Sequence, residues 1–411
     1  VDDDTTYRAG RGLTLSDTTF HVAKAYRLPR ACGNGQIAEW DGSAWTCGDD
    51  DVGAGGACWK LTGNAGTTPG TNYLGTTDDQ ALDIHANGQR ALRLESHADS
   101  PNLIGGYRDN EVAAGVVGAT IGGGGASGMT NRVTDNYGAV GGGSNNLVGN
   151  GDGDGTNRPY GTVGGGYANT AMSDYSTVGG GQDNTASGYN ASIGGGHNNT
   201  ASGVNSTVSG GANNTASGQH SATVGGGDRN SASGRGATVS GGEDNSASGQ
   251  FATVSGGTRA HASHYGQMAY ASGQFGDPGD AQASLYVLRN ATNDDIPTEL
   301  FLNDPWGTLP PERLTVAEGR TLTFDILVVA RSDGGASAGY TVQGVIENVG
   351  GTTGFIGTPT MVELGKDADW TVAIQDDDPN GALSIQVTGS ADTDIRWVAT
   401  VRTSEVAWPV P

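Results

Sequence analysis

Ser176-Thr-Val-Gly-Gly-Gly-Gln-Asp-Asn-Thr-Ala-Ser-Gly188 decides the fold, because it is one copy of a recurring unit. Aligned on the apolar residue before each glycine cluster, Val163, Val178, Ile193 and Val208 follow one another at 15 residues. Val224 comes after 16, with Ala222 read as the inserted residue, and Val239 and Val254 return to 15. More irregular copies begin at Ile104, Ile121 and Val140, so the array covers residues 103–276. A helix fails on this unit, since each glycine of a triplet costs about 1 kcal/mol relative to Ala. Two short β-prone pieces per unit remain, each with one apolar residue at a fixed place, Val178 and Ala186 in the quoted copy. Stacked at a fixed period, such pieces make a parallel β-solenoid with a Val column and an Ala column inside.

One Val and one Ala per coil bury too little apolar area to offset the ordering of a whole coil, at about 1–2 kcal/mol of backbone entropy per residue. Association of three coils about an axis supplies the missing burial, and closed symmetry limits the growth. A homotrimer is therefore expected. The chain is rich in glycine, 73 of 411 residues, and aromatics make up 6%, which leaves the middle of the chain without the means for a thick core. Asp and Glu outnumber Lys and Arg by 44 to 21, for a formal charge of −23. That balance removes the electrostatic footprint for nucleic acid or an anionic membrane surface. With no apolar run of membrane-spanning length, membrane insertion is not expected either. The opening Val1-Asp-Asp-Asp reads as a mature chain or a fragment.

The run from Tyr175 to Gly257 resembles the YadA-type left-handed β-roll heads of trimeric autotransporter adhesins and related repeats in phage tail fibres. The resemblance, which covers residues 103–276, implies a left-handed roll in a three-chain fibre. Gly10-Arg-Gly-Leu-Thr-Leu15 with Phe20-His-Val22 is similar to the G-x-G-L repeat of triple β-spiral shafts. Asn34 to Trp45 looks like a hairpin module of bacterial and phage fibre proteins, turning at Asp41-Gly42. Cys32 and Cys47 bracket it, and closing a loop of about 15 residues contributes about 3 kcal/mol in an oxidising compartment. Cys58 is left over, and three fates stay open for it: a bridge between chains, pairing with Cys47 instead, or a buried thiol. No C-x-x-C spacing is present to point to zinc.

Beyond Gly276 the composition changes. Ser284–Leu288, Thr321–Ala330, Tyr340–Ile346, Trp370–Ile374, Leu383–Val387 and Ile395–Val401 alternate apolar with polar, and Asn380-Gly381 marks a hairpin. Short strands at this density predict an antiparallel, jelly-roll-like β-sandwich. The expected organisation is all-β: a shaft segment over 1–30, a Cys/Trp hairpin module over 31–60, a short-strand fibre module over 61–102, the β-roll over 103–276 and a sandwich knob over 277–411.

Few residues stand out as carriers of chemistry. Asn150, Asp152 and Asp154 have the oxygen-ligand spacing of a calcium loop, though the distal Glu is absent and Gly161 stands there. Calcium is the one cofactor the sequence admits, and none is required. Asp376-Asp-Asp378 raises the same question on an acidic hairpin. Glycoside cleavage needs two carboxylates facing one sugar, whereas Asp174, Asp183, Asp228, Glu243 and Asp244 fall at outward turn positions. His197 and His220 do likewise. The glycine triplets recur too regularly for phosphate cradles, and no catalytic residue is assigned; the expectation is that the chain is not an enzyme. Among the tryptophans of the last domain, Trp397 reads as core, and Trp306, in a loop, is the ligand candidate. The expected function is structural: an extracellular trimeric fibre, alone or joined end to end, that binds a cell-surface glycan or receptor as a phage tail fibre or a bacterial appendage does. The alternatives are a tailspike-like polysaccharide-degrading protein and an ice-binding or surface-layer solenoid, the latter prompted by the partial ladder of Thr177, Thr207, Thr223, Thr238 and Thr253.

Overall fold

The computed structural model describes residues 13–16, 19–22, 28, 32, 36–40, 43–49, 63–303 and 309–408. The chain forms two compact units, Val1–Gly75 and Thr76–Pro411. In the first, Leu13–Ser16 pairs antiparallel with Thr19–Val22, and Gln36–Trp40 with Trp45–Asp49. Trp40 and Trp45 face each other across the second hairpin with ring centroids 5.8 Å apart. Cys32 is disulfide-bonded to Cys47, with Cα atoms 5.3 Å apart. Cys58 lies outside the described residues.

The second unit opens with an antiparallel hairpin, Leu82–Ala86 against Gln89–Glu95, whose second strand also pairs with Asn102–Gly105. From there the chain winds into a parallel β-solenoid of about 11 turns. Each coil carries two strands of two residues, such as Thr177–Val178 and Thr185–Ala186. Val178 stacks on Ile193 and Ala186 on Ala201, in register from coil to coil. Val163, Val178, Ile193, Val208, Val224, Val239 and Val254 are fully buried, and so are Ala171, Ala186, Ala201, Ala216, Ala232 and Ala247.

Two features close the coil that a count of Val and Ala leaves out. Ser176, Ala191, Ser206, Ala222, Ala237 and Ala252 form a third fully buried column, two residues before the Val. Ala222 is thus a regular member of the stack and not the inserted residue. The extra residue of that repeat sits in the turn before it, where His220 and Ser221 both take positive φ, 56° and 70°. Alignment on identity alone could not see this, because the turn absorbs a residue without moving the inward positions.

The other feature is a ladder of buried asparagines. Asn184 Nδ2 donates to the carbonyl of Gly180 in its own coil at 3.0 Å and to that of Gly196 in the next at 2.9 Å. Its Oδ1 accepts the N–H of Asn199 at 3.0 Å. Asn146, Asn169, Asn199, Asn214, Asn230 and Asn245 repeat the pattern, each buried to 1% exposure or less. The third glycine of each triplet is needed for this geometry. Gly181 sits at φ 91°, and a Cβ there would drive into the carbonyl oxygen of Gly196 one coil away.

The sheet that carries the Val column does not stop with the solenoid. Thr253–Thr258 pairs with Met268–Ser272, the latter turns antiparallel against Ala281–Thr292, and pairing continues to Ile395–Ala407, Arg320–Ser332 and Ser337–Val349. Thr352–Phe355 and Thr360–Lys366 pair along the far side of Ser337–Val349. A second antiparallel sheet is centred on Ala382–Thr388, with Thr371–Asp377, Thr298–Glu299 and Leu314–Thr315 as its partners. Inward residues of both sheets form one apolar core, in which Trp370 and Trp397 are fully buried with ring centroids 5.8 Å apart. Among the described residues, no helix is long and apolar enough to cross a membrane.

Candidate functional site at the joint of the solenoid and the C-terminal sheets

Strand alternation builds the site. In Ala281–Thr292 the residues facing inward begin with Gln282, Ser284 and Tyr286; in Ile395–Ala407 they end with Thr403 and Glu405. These polar ends lie next to the last coil, where an apolar filling gives way to hydrogen bonds. Of these, Gln282, Tyr286 and Glu405 line an enclosed cavity of about 160 Å³ with His261, Ser263, His264, Gln267, Thr315, Arg320 and Leu322.

Glu405 is at its centre. Its side chain is 5% exposed and forms an ion pair with Arg320 Nη1 at 2.9 Å. Thr403 Oγ1 donates to Oε1 at 2.9 Å, the Tyr286 hydroxyl at 3.3 Å, and Gln282 Nε2 reaches Oε2 at 3.4 Å. A buried carboxylate is tolerated only when paired in this way. The Tyr286 hydroxyl is pushed far above its ordinary pKa, first by burial and then by the Glu405 charge. Two histidines of the last coil face the same space. Burial lowers the pKa of both, with Arg320 adding to the effect at His261, while Gln267 and nearby carboxylates oppose it at His264. Both are therefore neutral at neutral pH. His264 Nε2 lies 2.9 Å from Thr315 Oγ1, and His261 Nε2 lies 3.1 Å from Ser248 Oγ.

Arg320 also borders a second, open recess of about 330 Å³, lined by Asp277, Asp280, Ala317, Glu318, Ala407 and Trp408. The Trp408 ring is 82% exposed, held by its backbone N–H donating to Gly319 O at 3.0 Å. Asp280 shapes the floor. Its carboxylate accepts backbone N–H groups of Phe275, Gly276 and Asp277 at 2.9, 2.6 and 2.9 Å. Burial works to raise its pKa, but these bonds and Arg320 outweigh it, so the carboxyl lies below its usual range. The joint thus offers an exposed aromatic face, solvent-facing carboxylates and a guanidinium, backed by a buried network with a neutral imidazole, a phenol and a carboxylate. That set can bind a polyol face and can hold or move a proton.

Apart from Trp408, named as one of four tryptophans of the last domain, none of these groups was singled out from sequence. The signal was present: Thr403 and Glu405 continue the inward parity of Ile395, Trp397, Ala399 and Val401, and a polar residue at an inward position asks for a partner. Trp306, the ligand candidate, lies outside the described residues. Of the described tryptophans beyond Gly276, Trp370 and Trp397 are buried and Trp408 is exposed.

The other expected sites fall elsewhere. Asn150, Asp152 and Asp154 lie on an exposed turn bulging from the solenoid, where Asp152 Oδ2 accepts amide hydrogens from Asn150 at 2.8 Å and Asn157 at 2.7 Å. Asp154 Oδ1 accepts from Thr156. In the acidic hairpin, Asp377 pairs with Arg313 at 3.5 Å and Asp378 accepts the Thr353 N–H at 2.7 Å. No group of three or more His, Cys, Asp or Glu is placed to hold a metal ion among the described residues. Asp228, Glu243 and Asp244 gather around Arg229 as an exposed ion-pair cluster, whose guanidinium pKa rises through Asp244 first.

No family model and no curated protein matches the chain. Among solved structures it is similar to the tailspike protein gp49 of Acinetobacter baumannii bacteriophage Fri1, described as a capsular polysaccharide depolymerase. Identity is 9%, TM-score 0.19, and 71% of this chain and 70% of that one are covered. It is similar also to the tailspike protein of Acinetobacter phage vB_ApiP_P1, at 10% identity and TM-score 0.20, over 73% of this chain and 59% of that one. At these scores the likeness carries no activity, ligand or assembly across. The expectation that the chain is not an enzyme is nonetheless corrected: a solved structure it resembles is described as a depolymerase, and the joint brings together proton-carrying groups that a reading by motif had left scattered.

Proposed function

We propose that the chain is a subunit of an extracellular spike or fibre, a virion tail or a surface or secreted appendage, that binds polysaccharide at the joint. Its YadA-type left-handed roll would be assembled from three copies, singly or end to end, with the two C-terminal sheets as a jelly-roll-like knob. The observation that carries this reading is the exposed Trp408 ring beside Asp277, Glu318 and Arg320. An indole face stacks on the apolar face of a pyranose, while flanking carboxylates and a guanidinium take its hydroxyls. The solenoid holds that site on a rigid stem, and several copies on one stem raise avidity. The test is glycan binding by the full chain: Trp408→Ala is expected to weaken it about tenfold or more with the fold unchanged. Equal binding by the variant overturns the reading.

A second reading, cleavage of that polysaccharide, is favoured by the buried Glu405 with Tyr286 and neutral His264 in one cavity. Incubation with bacterial polysaccharides and measurement of chain shortening tests it. Cleavage that is lost in His264→Ala while Trp408-dependent binding persists supports it, and the absence of any shortening removes it.

A further inference from the structure

The long strands of the C-terminal domain should alternate apolar and polar if one face met water. They do not. Along Arg320–Ser332, Phe324, Ile326, Val328 and Ala330 face the core, yet Leu327 and Val329 on the opposite face are also apolar, 52% and 57% exposed. Ile326-Leu-Val-Val-Ala330 is the unbroken apolar run of a strand covered on both sides. Neighbouring strands repeat the anomaly in register: Thr400 and Val398 pair with Leu327 and Val329, and Thr400 pairs in turn with Val287. Val287, Val398, Val362 and Leu364 are 52%, 38%, 48% and 64% exposed. They complete one apolar patch with Leu327 and Val329.

We propose that this outer sheet face is where a neighbouring copy of this chain packs; the inference rests on the reading of the protein as an assembly of several copies. The area fits. The four longest strands have 12, 13, 13 and 13 residues. At about 3.3 Å per residue and about 4.8 Å between strands they span roughly 40 by 20 Å, close to the roughly 800 Å² per partner of a stable interface. Charge fits too. The patch is bordered by Arg289, Arg331, Arg396 and Arg402, none of which has an ion-pair partner among the described residues. Against Asp325 and Glu347 on the same outward face, the four arginines leave it net positive in a chain of formal charge −23, where a copy's acidic surface would meet it. The face is also continuous with the stem: outward residues run in one cross-strand row from Thr238 and Thr253 through Met268 and Leu285 to Arg402 and Asp325. Copies aligned along the solenoid would thus be aligned here as well.

Sedimentation of the full chain across a dilution series, wild type against Leu327→Lys, is the test. Because Leu327 is exposed, the fold is expected to persist, checked by circular dichroism, while the variant dissociates at concentrations at least about 100-fold higher than wild type. If the lysine variant misfolds, the paired variant Val329→Thr with Val398→Thr, which keeps β-branching, takes its place and is expected to weaken association about tenfold. A wild type that is monomeric at all concentrations overturns this inference together with the multi-copy reading. A wild-type oligomer unmoved by folded variants overturns the choice of face alone.

Discussion

Replacing Asn199 by Ala removes one rung of the amide ladder at mid-stem. Asn199 is fully buried; its Nδ2 donates to Gly195 O at 3.0 Å and Gly211 O at 2.9 Å, and its Oδ1 accepts the Asn214 N–H at 3.0 Å. Each bond contributes about 1 kcal/mol net, and the carbonyls and amide left behind are buried without partners, so the expected loss is about 3–5 kcal/mol. The control is Thr200→Ala one residue on, where the side chain is half-exposed and pairing runs through the backbone; its expected cost is within about 0.5 kcal/mol. Because a coil touches chiefly its neighbours, the loss should concentrate in the adjoining coils. Native-state hydrogen exchange reads this directly, as a drop in the opening free energy of amides such as Thr185, Thr200 and Thr215, which donate to the asparagine carbonyls of the coil above. An Asn199→Ala chain whose protection stays within about 1 kcal/mol of the Thr200→Ala control would refute the ladder as a source of stability.

Glycine placement gives a sharper contrast. Gly211→Ala must hold an L-residue at φ 85° against the Gly227 carbonyl and is expected to cost more than about 2 kcal/mol, whereas Gly195→Ala, whose Cβ would find its nearest atom at 3.9 Å, should cost under about 1 kcal/mol; urea unfolding separates them. Acid should act with opposite signs at two places. The Asp135 carboxyl is raised, by burial against the pull of the Asn150 N–H and Thr134 hydroxyl, so its contribution is full below about pH 4 and lost as pH rises through the folded value. Protection factors around Asn150 should therefore fall with rising pH in wild type and stay flat in Asp135→Asn. At the joint, the lowered His261 and His264 contribute fully above about pH 6.5 and lose that contribution as pH falls through their folded values, and Asp280 adds a loss below about pH 4. Exchange at Gly276 and Asp277 should accelerate accordingly beyond its intrinsic pH dependence. Calcium uptake at Asn150, Asp152 and Asp154 requires the Asn150 amide to turn its oxygen inward; calorimetric titration should show a binding heat that Asp152→Asn removes, and no heat in wild type rejects the site.

What the sequence disclosed was whatever repeats. The interval between Val163 and Val254 gave the coil, its Val column and its parallel stacking, since each copy restates the same physical demand. The asparagine before each Thr-Ala or Ser-Ala pair was equally periodic, but a polar residue in a turn reads as solvent-facing until the backbone carbonyls around it are known to converge. Ala222 was misassigned because a turn can take an extra residue silently. The joint was out of reach for a different reason: Arg320 and Glu405 are 85 residues apart in sequence and meet only through strand pairing. Trp408 stood among four tryptophans of the last domain, and Thr321–Ala330 reads as alternating apolar with polar although Leu327 and Val329 make its outward face apolar as well.

The strands of the stem lie across its long axis, and the bonds between coils lie along it. Such a rod resists bending and compression, because every coil bears on the next through two sheets and an amide ladder. Tension is another matter. A pull applied through the chain at one end loads the rungs of a single coil at a time, so the stem yields sequentially, like a zip. Each coil of 15 residues that lets go pays out about 50 Å of extended chain while the remaining coils stay wound. A structure anchored at one end and holding a surface at the other would thus meet a sudden tug by lengthening in steps, and rewind from the intact coils when the load drops.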